Sequence, residues 1–241
     1  MSQSHTVKSY DDDLKQLRAL VAQMGGIAES QILNAIEALQ RRDAEGALKI
    51  IDADKLLDAL EGEVEKMTVR LIALRAPLAD DLREIISALK ISALLERIGD
   101  YAKNIAKRTT VLAQYAAIEP MIIIPEMGRM VSRMVSATMS AYATRDSVAA
   151  KKIWLQDRDV DNFYNSVFRI LLTHMMENPH HITLSTHLLF IAKNIERIGD
   201  HVTNISEIIH YNVTGDTIPD NRPKGDMTSY VFNPATVQEK E

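Results

Sequence analysis

The pentapeptide ERIGD occurs twice in this chain of 241 residues, at 96–100 and again at 196–200. A second stretch is also repeated, because RRDAEGALKIIDADKLLD at 41–58 aligns with TRDSVAAKKIWLQDRDVD at 144–161, an offset of 103. The offsets of 100 and 103 differ by a few residues that fall between helices, where a loop absorbs them. Repetition on this scale indicates a duplicated structural unit, so the chain is predicted to contain two similar halves.

Apolar residues recur every three or four positions from about Tyr10 to Val213, which is the pattern of amphipathic helices. Pro77 and the pair Asn178-Pro179 mark helix ends, and Asp43 is placed to cap a helix at its N-terminus. Aromatic residues make up only 5% of the chain, and this scarcity favours helices over strands. The pattern predicts three helices, a short loop rich in isoleucine, and three helices again.

The composition excludes several classes of site. The chain has no cysteine, which excludes disulfides, zinc–thiolate sites, iron–sulfur clusters and cysteine nucleophiles. Its net charge of −5 makes it a poor candidate for nucleic-acid binding. The N-terminus lacks the apolar core of a secretory signal, and the uncharged stretch at 121–125 is too short to span a bilayer. We therefore expect a cytoplasmic protein.

Carboxylates lie four residues apart on the predicted second and third helices of each half, so each pair shares a helix face. Such a like-charge pair costs about 0.2–0.5 kcal/mol when exposed. A hard cation, such as magnesium, manganese or oxygen-ligated iron, turns that repulsion into attraction by binding several carboxylates from facing helices. The candidate metal ligands are Asp54, Asp58, Glu96 and Asp100 in the first half and Asp157, Asp161, Glu196 and Asp200 in the second.

The alternative interpretation is that these rows are solvated helix faces, with Arg97 and Arg197 as ordinary surface partners. Core packing explains why Ile98 and Gly99 recur as Ile198 and Gly199. It does not explain why the glutamate and the aspartate recur as well, which favours a ligand role. The sequence contains no P-loop, no nucleophile elbow and no G-x-G-x-x-G motif, so we expect a protein that is not an enzyme.

Two ERIGD copies about a hundred residues apart, each followed by Asn-Ile and preceded by an acidic D-x-x-x-D helix, resemble the PhoU family of phosphate-uptake regulators. The likeness covers residues 10–213. The resemblance implies an all-α, PhoU-like fold of six long helices, arranged as two tandem, structurally repeated three-helix bundles. The implied boundaries are a flexible N-terminus at 1–9, bundles at 10–117 and 118–213, and a flexible tail at 214–241.

The resemblance also implies a function. Members of the family are negative regulators of phosphate uptake and of phosphate-regulon signalling. They are cytoplasmic adaptors between the ATPase subunit of the phosphate-specific ABC transporter and a sensor histidine kinase, and they reach the membrane only through these partners. They are often homodimers, and some carry metal ions on rows that match the eight carboxylates above. The metal expected here is iron, manganese, zinc or magnesium.

Two other functions stay open at this stage. One is a carboxylate-bridged, metal-dependent enzyme built on a helical bundle. Such sites usually include a Glu-x-x-His ligand pair, and none occurs near either ERIGD copy. The other is a purely structural bundle that oligomerises through its apolar faces and holds no metal.

Overall fold

The computed structural model of the chain describes residues 2–218. This part of the chain is helical throughout its ordered elements and contains no strand, which confirms the all-α prediction. Six helices are long, as predicted, and two are short. They are α1 (Ser2–Arg41), α2 (Ala44–Ala53), α3 (Lys55–Arg75), α4 (Ala79–Leu112), α5 (Ile124–Thr144), α6 (Ser147–Leu155), α7 (Asp157–Glu177) and α8 (Ile182–Thr214), with 3-10 turns at Glu119–Ile122 and Pro179–His181.

The short helices α2 and α6 correct the sequence prediction, which joined each of them to the long helix that follows. The first interruption falls at Asp54, whose backbone keeps helical angles (φ −59°, ψ −35°). The amide of Leu57 donates to the carbonyl oxygen of Asp54 at 2.9 Å, which is the tighter 3-10 type of turn. Because a single tight turn leaves the apolar stripe in phase, periodicity did not reveal the break.

The two repeated Arg-Asp turns begin α2 and α6 in the same way. Asp43 accepts a hydrogen bond from the amide of Gly46 at 2.9 Å, and Asp146 accepts from Val148 at the same distance. The preceding arginines, Arg42 and Arg145, have left-handed backbone conformations with φ of 57° and 55°. The predicted cap at Asp43 is therefore confirmed, and its counterpart in the second half behaves alike.

The described helices extend to both ends of the two predicted bundles, and α1 extends further. Residues 2–9, which the sequence assigned to a flexible N-terminus, have helical backbone, so α1 begins eight residues before Tyr10. No proline or glycine lies in that stretch to interrupt a helix. At the other end, α8 stops at Thr214, and residues 219–241 of the predicted tail lie outside the described residues. Asp80 and Asp81 lie in the first turn of α4, which follows Leu78.

The two halves meet where the ERIGD helices, α4 and α8, pack against each other. Tyr101 and His201, which directly follow the two ERIGD copies, stack with ring centroids 5.4 Å apart and planes 18° apart. Near one end of the pair, Arg108 of α4 lies over the ring of Phe190, close to the start of α8. The helices are therefore antiparallel, and equivalent residues meet at a local pseudo-twofold axis.

A buried carboxylate also joins the halves. Glu84 of α4 is only 4% exposed. Its Oε2 accepts from Arg18 of α1 at 2.8 Å and from Arg145, which follows α5, at 2.7 Å. The two guanidinium groups supply the charge and the hydrogen bonds that a buried carboxylate requires. This three-helix contact was not predicted, because its members lie more than sixty residues apart in sequence.

Between residues 2 and 218, no helix combines the length and the apolar character needed to cross a membrane.

Candidate functional site at the two ERIGD helices

The fold brings the predicted carboxylates of each half to the seam between two helices. Asp54 lies at the α2–α3 interruption, and its counterpart Asp157 begins α7. Both are 2% exposed, so the repeat buries a carboxylate at the same point in each half. Burial removes a charge from water at a cost of several kcal/mol, which makes the partners of these two side chains decisive.

In the first half the partner of the buried aspartate is a lysine. The ammonium Nζ of Lys103 lies 2.5 Å from Oδ2 of Asp54 and 3.2 Å from Oδ1 of Asp100. The hydrogen bond to Asp54 is the main cause of a raised pKa for Lys103, so the lysine stays charged. Lys103 therefore supplies a positive charge between these two carboxylates.

The second half has a different partner at the equivalent position. Thr203, one hundred residues after Lys103, places its hydroxyl 3.0 Å from Oδ1 of Asp157 and 2.9 Å from the carbonyl oxygen of Gly199. A hydroxyl donates a hydrogen bond but brings no charge. In this half, Nζ of Lys193 lies 2.9 Å from Oε1 of Glu196, a glutamate that is 4% exposed.

Glu96, the counterpart of Glu196, lies among carboxylates instead. Its pKa rises from the ordinary value of 4.5 to about 7, mainly through burial and then through the charges of Asp100 and Glu61. Arg97 opposes this effect weakly, with Nε 3.9 Å from Oε2 of Glu96. Glu61 was not among the predicted residues. Its position three residues after Asp58, on the same face of a helix, was the available signal.

The repeated glycine makes room for protein side chains. A Cβ atom on Gly99 would meet the side chain of Leu57 and lie 2.9 Å from Oε1 of Gln31 and 3.4 Å from Oδ1 of Asp54. Gln31 was not among the predicted site residues. Its side-chain amide and Oδ1 of Asp54 are both buried without a hydrogen-bond partner among the described residues. At Gly199 the neighbours are the apolar Val160 and Val131. The surroundings of Gly99 are thus more polar than those of Gly199.

These side chains do not fit a metal centre as they are arranged. Within residues 2–218, no group of three or more aspartate, glutamate or histidine side chains is positioned to hold a metal ion. The eight predicted ligands have suitable oxygen chemistry, but Lys103 and Lys193 already neutralise part of each row. The structure brings Asp54 and Asp100 together on one ammonium group, and it does not gather all four carboxylates of either half around one point.

Comparison with known proteins identifies close relatives. The family model described as the PhoU domain matches residues 21–109 and again 124–209. A phosphate-specific transport system accessory protein PhoU homolog from Zymomonas mobilis is 51% identical over 216 residues, which cover 90% of this chain and 91% of that protein. The homolog from Caulobacter vibrioides is 49% identical, covering 93% of this chain and 98% of that one.

Solved structures agree with the sequence matches. The crystal structure of PhoU from Pseudomonas aeruginosa superposes with a TM-score of 0.83 at 33% identity, covering 86% of this chain and all of that one. The phosphate transport system regulatory protein PhoU from Streptococcus pneumoniae gives a TM-score of 0.79 at 27% identity, covering 87% and 99%.

Removing the ammonium group in K103M should leave the carboxylate of Asp54 buried without a counter-charge. We expect the free energy of unfolding to fall by about 3 kcal/mol, as is typical when one partner of a buried ion pair is removed. Urea denaturation measures the change. The double variant D54N/K103M should recover most of the loss, and K103T, which installs the residue used by the second half, should cost less than K103M. A K103M variant as stable as the parent would contradict this account.

The raised pKa of Glu96 makes stability depend on pH. In the folded state Glu96 keeps its proton up to about pH 7, whereas in the unfolded state it loses the proton near pH 4.5. The free energy of unfolding therefore decreases as the pH rises through this range. E96Q should therefore raise the free energy of unfolding at about pH 8 by about 1 kcal/mol, after allowance for solvent screening, and by less at about pH 5.

The measurement for E96Q is urea denaturation at both pH values in buffer with a chelator. The matched control is E196Q, which removes the partner of Lys193 and should lower stability at both. If E96Q destabilises the protein at the higher pH, the placement of Glu96 among carboxylates is wrong.

Proposed function

The chain belongs to the PhoU family, and we propose that it serves a phosphate-specific transport system as its accessory protein. The observation that carries the proposal is the identity of 49–51% with proteins of that name over nine-tenths of the chain. In this role it restrains phosphate uptake and keeps phosphate-regulon signalling off when phosphate is plentiful. It catalyses no reaction itself.

The proposed partners are the ATPase subunit of the transporter and the sensor histidine kinase of the regulon. Both present their regulated parts to the cytoplasm, so the chain acts there and meets the membrane only through them. A rigid helical body with charged surfaces of opposite sign suits an adaptor that binds two proteins. One such surface is an acidic face on α3 and α4 formed by Asp58, Glu61, Glu96 and Asp100, where Asp58 is exposed and the others are half-buried.

We also propose a homodimer. Several large apolar side chains at and after the end of α3 are available for such an interface, including Val69, Leu74 and Leu78, which are 62%, 69% and 81% exposed. A purely structural oligomerising bundle would use the same residues but would bind neither partner. The enzyme alternative gains no support from the geometry, because Lys103 lies between Asp54 and Asp100, where a bridging metal would bind.

The adaptor role is tested in a strain that lacks the chain, using a reporter of phosphate-starvation genes and purified partners. The strain should express the reporter in high phosphate, and the wild-type chain should silence it. D58N/E61Q should weaken binding of at least one partner by about tenfold through loss of charge on the acidic face. The matched control is D12N/E63Q, which removes two exposed carboxylates that lie away from this face.

Three results would separate the possibilities. Silence of the reporter without the chain would contradict the regulatory function. Normal regulation with unchanged binding by D58N/E61Q would leave the function in place and reject the acidic face as a docking surface. An equal loss of partner binding in D58N/E61Q and D12N/E63Q would mean that the effect depends on net charge alone.

A metal at the eight carboxylates stays a prediction, separate from the adaptor role. If the rows bind metal, untagged protein purified without chelator should contain stoichiometric iron, manganese, zinc or magnesium by elemental analysis, and D100N/D200N should lose it. Protein free of metal in both forms would mean that the rows serve as packing and ion-pairing elements, such as the contacts of Lys103 and Lys193.

A further inference from the structure

A basic groove runs along the seam where the second half of α4 meets the first half of α8. It has a volume of about 520 Å³, within the usual range for sites that bind small molecules. Four of its lining side chains are cationic, and no carboxylate is among the lining residues. We call it the α4–α8 basic groove; its cations are Lys107, Arg108, Lys193 and Arg197, and Phe190 lies beside them.

Three of the four cations of this groove have no carboxylate partner among the described residues. Glu84 holds two arginines, whereas no described carboxylate lies within ion-pair distance of Lys107, Arg108 or Arg197; only Lys193 is paired, with Glu196. In a chain with a net charge of −5, the three clustered cations without an ion-pair partner, Lys107, Arg108 and Arg197, form a local field of the opposite sign.

Arg108 is held in place by groups that leave its donors available. Its guanidinium lies 4.1 Å from the centroid of the Phe190 ring, and NH1 is 3.4 Å from Nδ1 of His187. Burial lowers the pKa of Arg108, and burial together with the charge of Arg108 lowers the pKa of His187, which keeps that imidazole neutral. An arginine has five N–H donors, and an aromatic face plus one imidazole nitrogen satisfies few of them.

The pseudo-twofold axis relates the groove to a second seam between α4 and α8. The residues of that seam show whether the fold requires the positive charge of the groove. An offset of 100 residues maps the groove onto the opposite side of the α4–α8 contact. Most counterparts of the groove cations are not cationic: Glu207 for Lys107, Ile208 for Arg108 and Ala93 for Lys193. Only Arg197 keeps its charge, as Arg97, within the repeated ERIGD. Packing α4 against α8 is therefore compatible with a seam that lacks three of these four cations.

We propose that the α4–α8 basic groove binds a small molecule that carries a chain of two or more phosphates. Adjacent phosphates concentrate negative charge along a line, as the cations are spread along the two helices, and guanidinium groups bind phosphate oxygens in pairs. The groove is large for a single phosphate ion. Phe190, half-exposed at its edge, offers an aromatic surface of the kind that stacks on a nucleobase. Both a nucleoside polyphosphate and an inorganic polyphosphate share this chemistry.

The test is isothermal titration calorimetry of the full chain in chelator-treated buffer at about 0.15 M salt. The probes are ATP, inorganic tripolyphosphate, orthophosphate and adenosine. ATP or tripolyphosphate should bind at least tenfold more tightly than orthophosphate, and adenosine alone should not bind. R108Q and R197Q should each weaken binding by tenfold or more. The matched control is R97Q, which changes the same ERIGD position on the opposite seam and should leave binding unchanged.

The comparison of ATP with tripolyphosphate also identifies the class of molecule that carries the phosphates. Equal affinities for ATP and tripolyphosphate, unaffected by F190L, mean that the groove recognises the phosphate chain alone. Tighter binding of ATP that F190L abolishes means that the natural ligand is a nucleotide. Thermal melts of every variant establish that each is folded.

Several outcomes would overturn the proposal. One is the absence of heat from either polyphosphate up to about 1 mM. A second is an equal loss of ligand affinity in R97Q and R197Q, which would mean that binding depends on net charge alone. A third is displacement of the ligand by an acidic peptide or by anionic vesicles at matched charge, which would make the groove a docking surface. Each of these would leave the proposed regulatory function intact, since that function is tested by partner binding and the reporter.

Discussion

The packing of α4 against α8 determines the rest of the architecture. Each helix is the last of its half, and each carries an ERIGD copy whose isoleucine is fully buried. Because the two helices are antiparallel and meet at Tyr101 and His201, the duplicated halves face each other across a pseudo-twofold axis. The core continues across this contact, so the halves do not form two independent bodies. Glu84, Asp100, Lys103, Glu196 and the cations of the α4–α8 basic groove all lie on one of these two helices.

Duplication fixed the positions of the buried acids but not the way in which they are neutralised. Breaking a buried ion pair costs about 3–5 kcal/mol, while a whole domain is stable by about 5–15 kcal/mol, so each half needs a partner for its buried carboxylate. The first half uses Lys103 on Asp54 and Asp100. The second uses the hydroxyl of Thr203 on Asp157 and places its lysine on Glu196. Identical motifs therefore have different electrostatic surroundings: Glu96 lies among further carboxylates, whereas Glu196 contacts Lys193.

Local chemistry accounts for what the sequence could predict. Apolar spacing gave the long helices, and the repeat gave the two halves. The cap at Asp43 was predictable because it depends on residues within one turn. The interruption at Asp54 was not, since it shifts the apolar stripe too little to be seen. Contacts between distant residues were also missed, because nothing local marks them: Lys103 with Asp54, Gln31 beside Gly99, and Glu84 with its two arginines.

Packing of the two halves requires certain core residues but permits different surface charges on the two seams. Where the halves must fit together, the repeat keeps its residues: Ile98 recurs as Ile198 and Gly99 as Gly199. Outside the contact the two sides diverge, and the divergence is one of charge. One seam carries the cations of the α4–α8 basic groove around Phe190, and the acidic face lies on α3 and α4. The packing of α4 against α8 therefore tolerates different charges on its two sides.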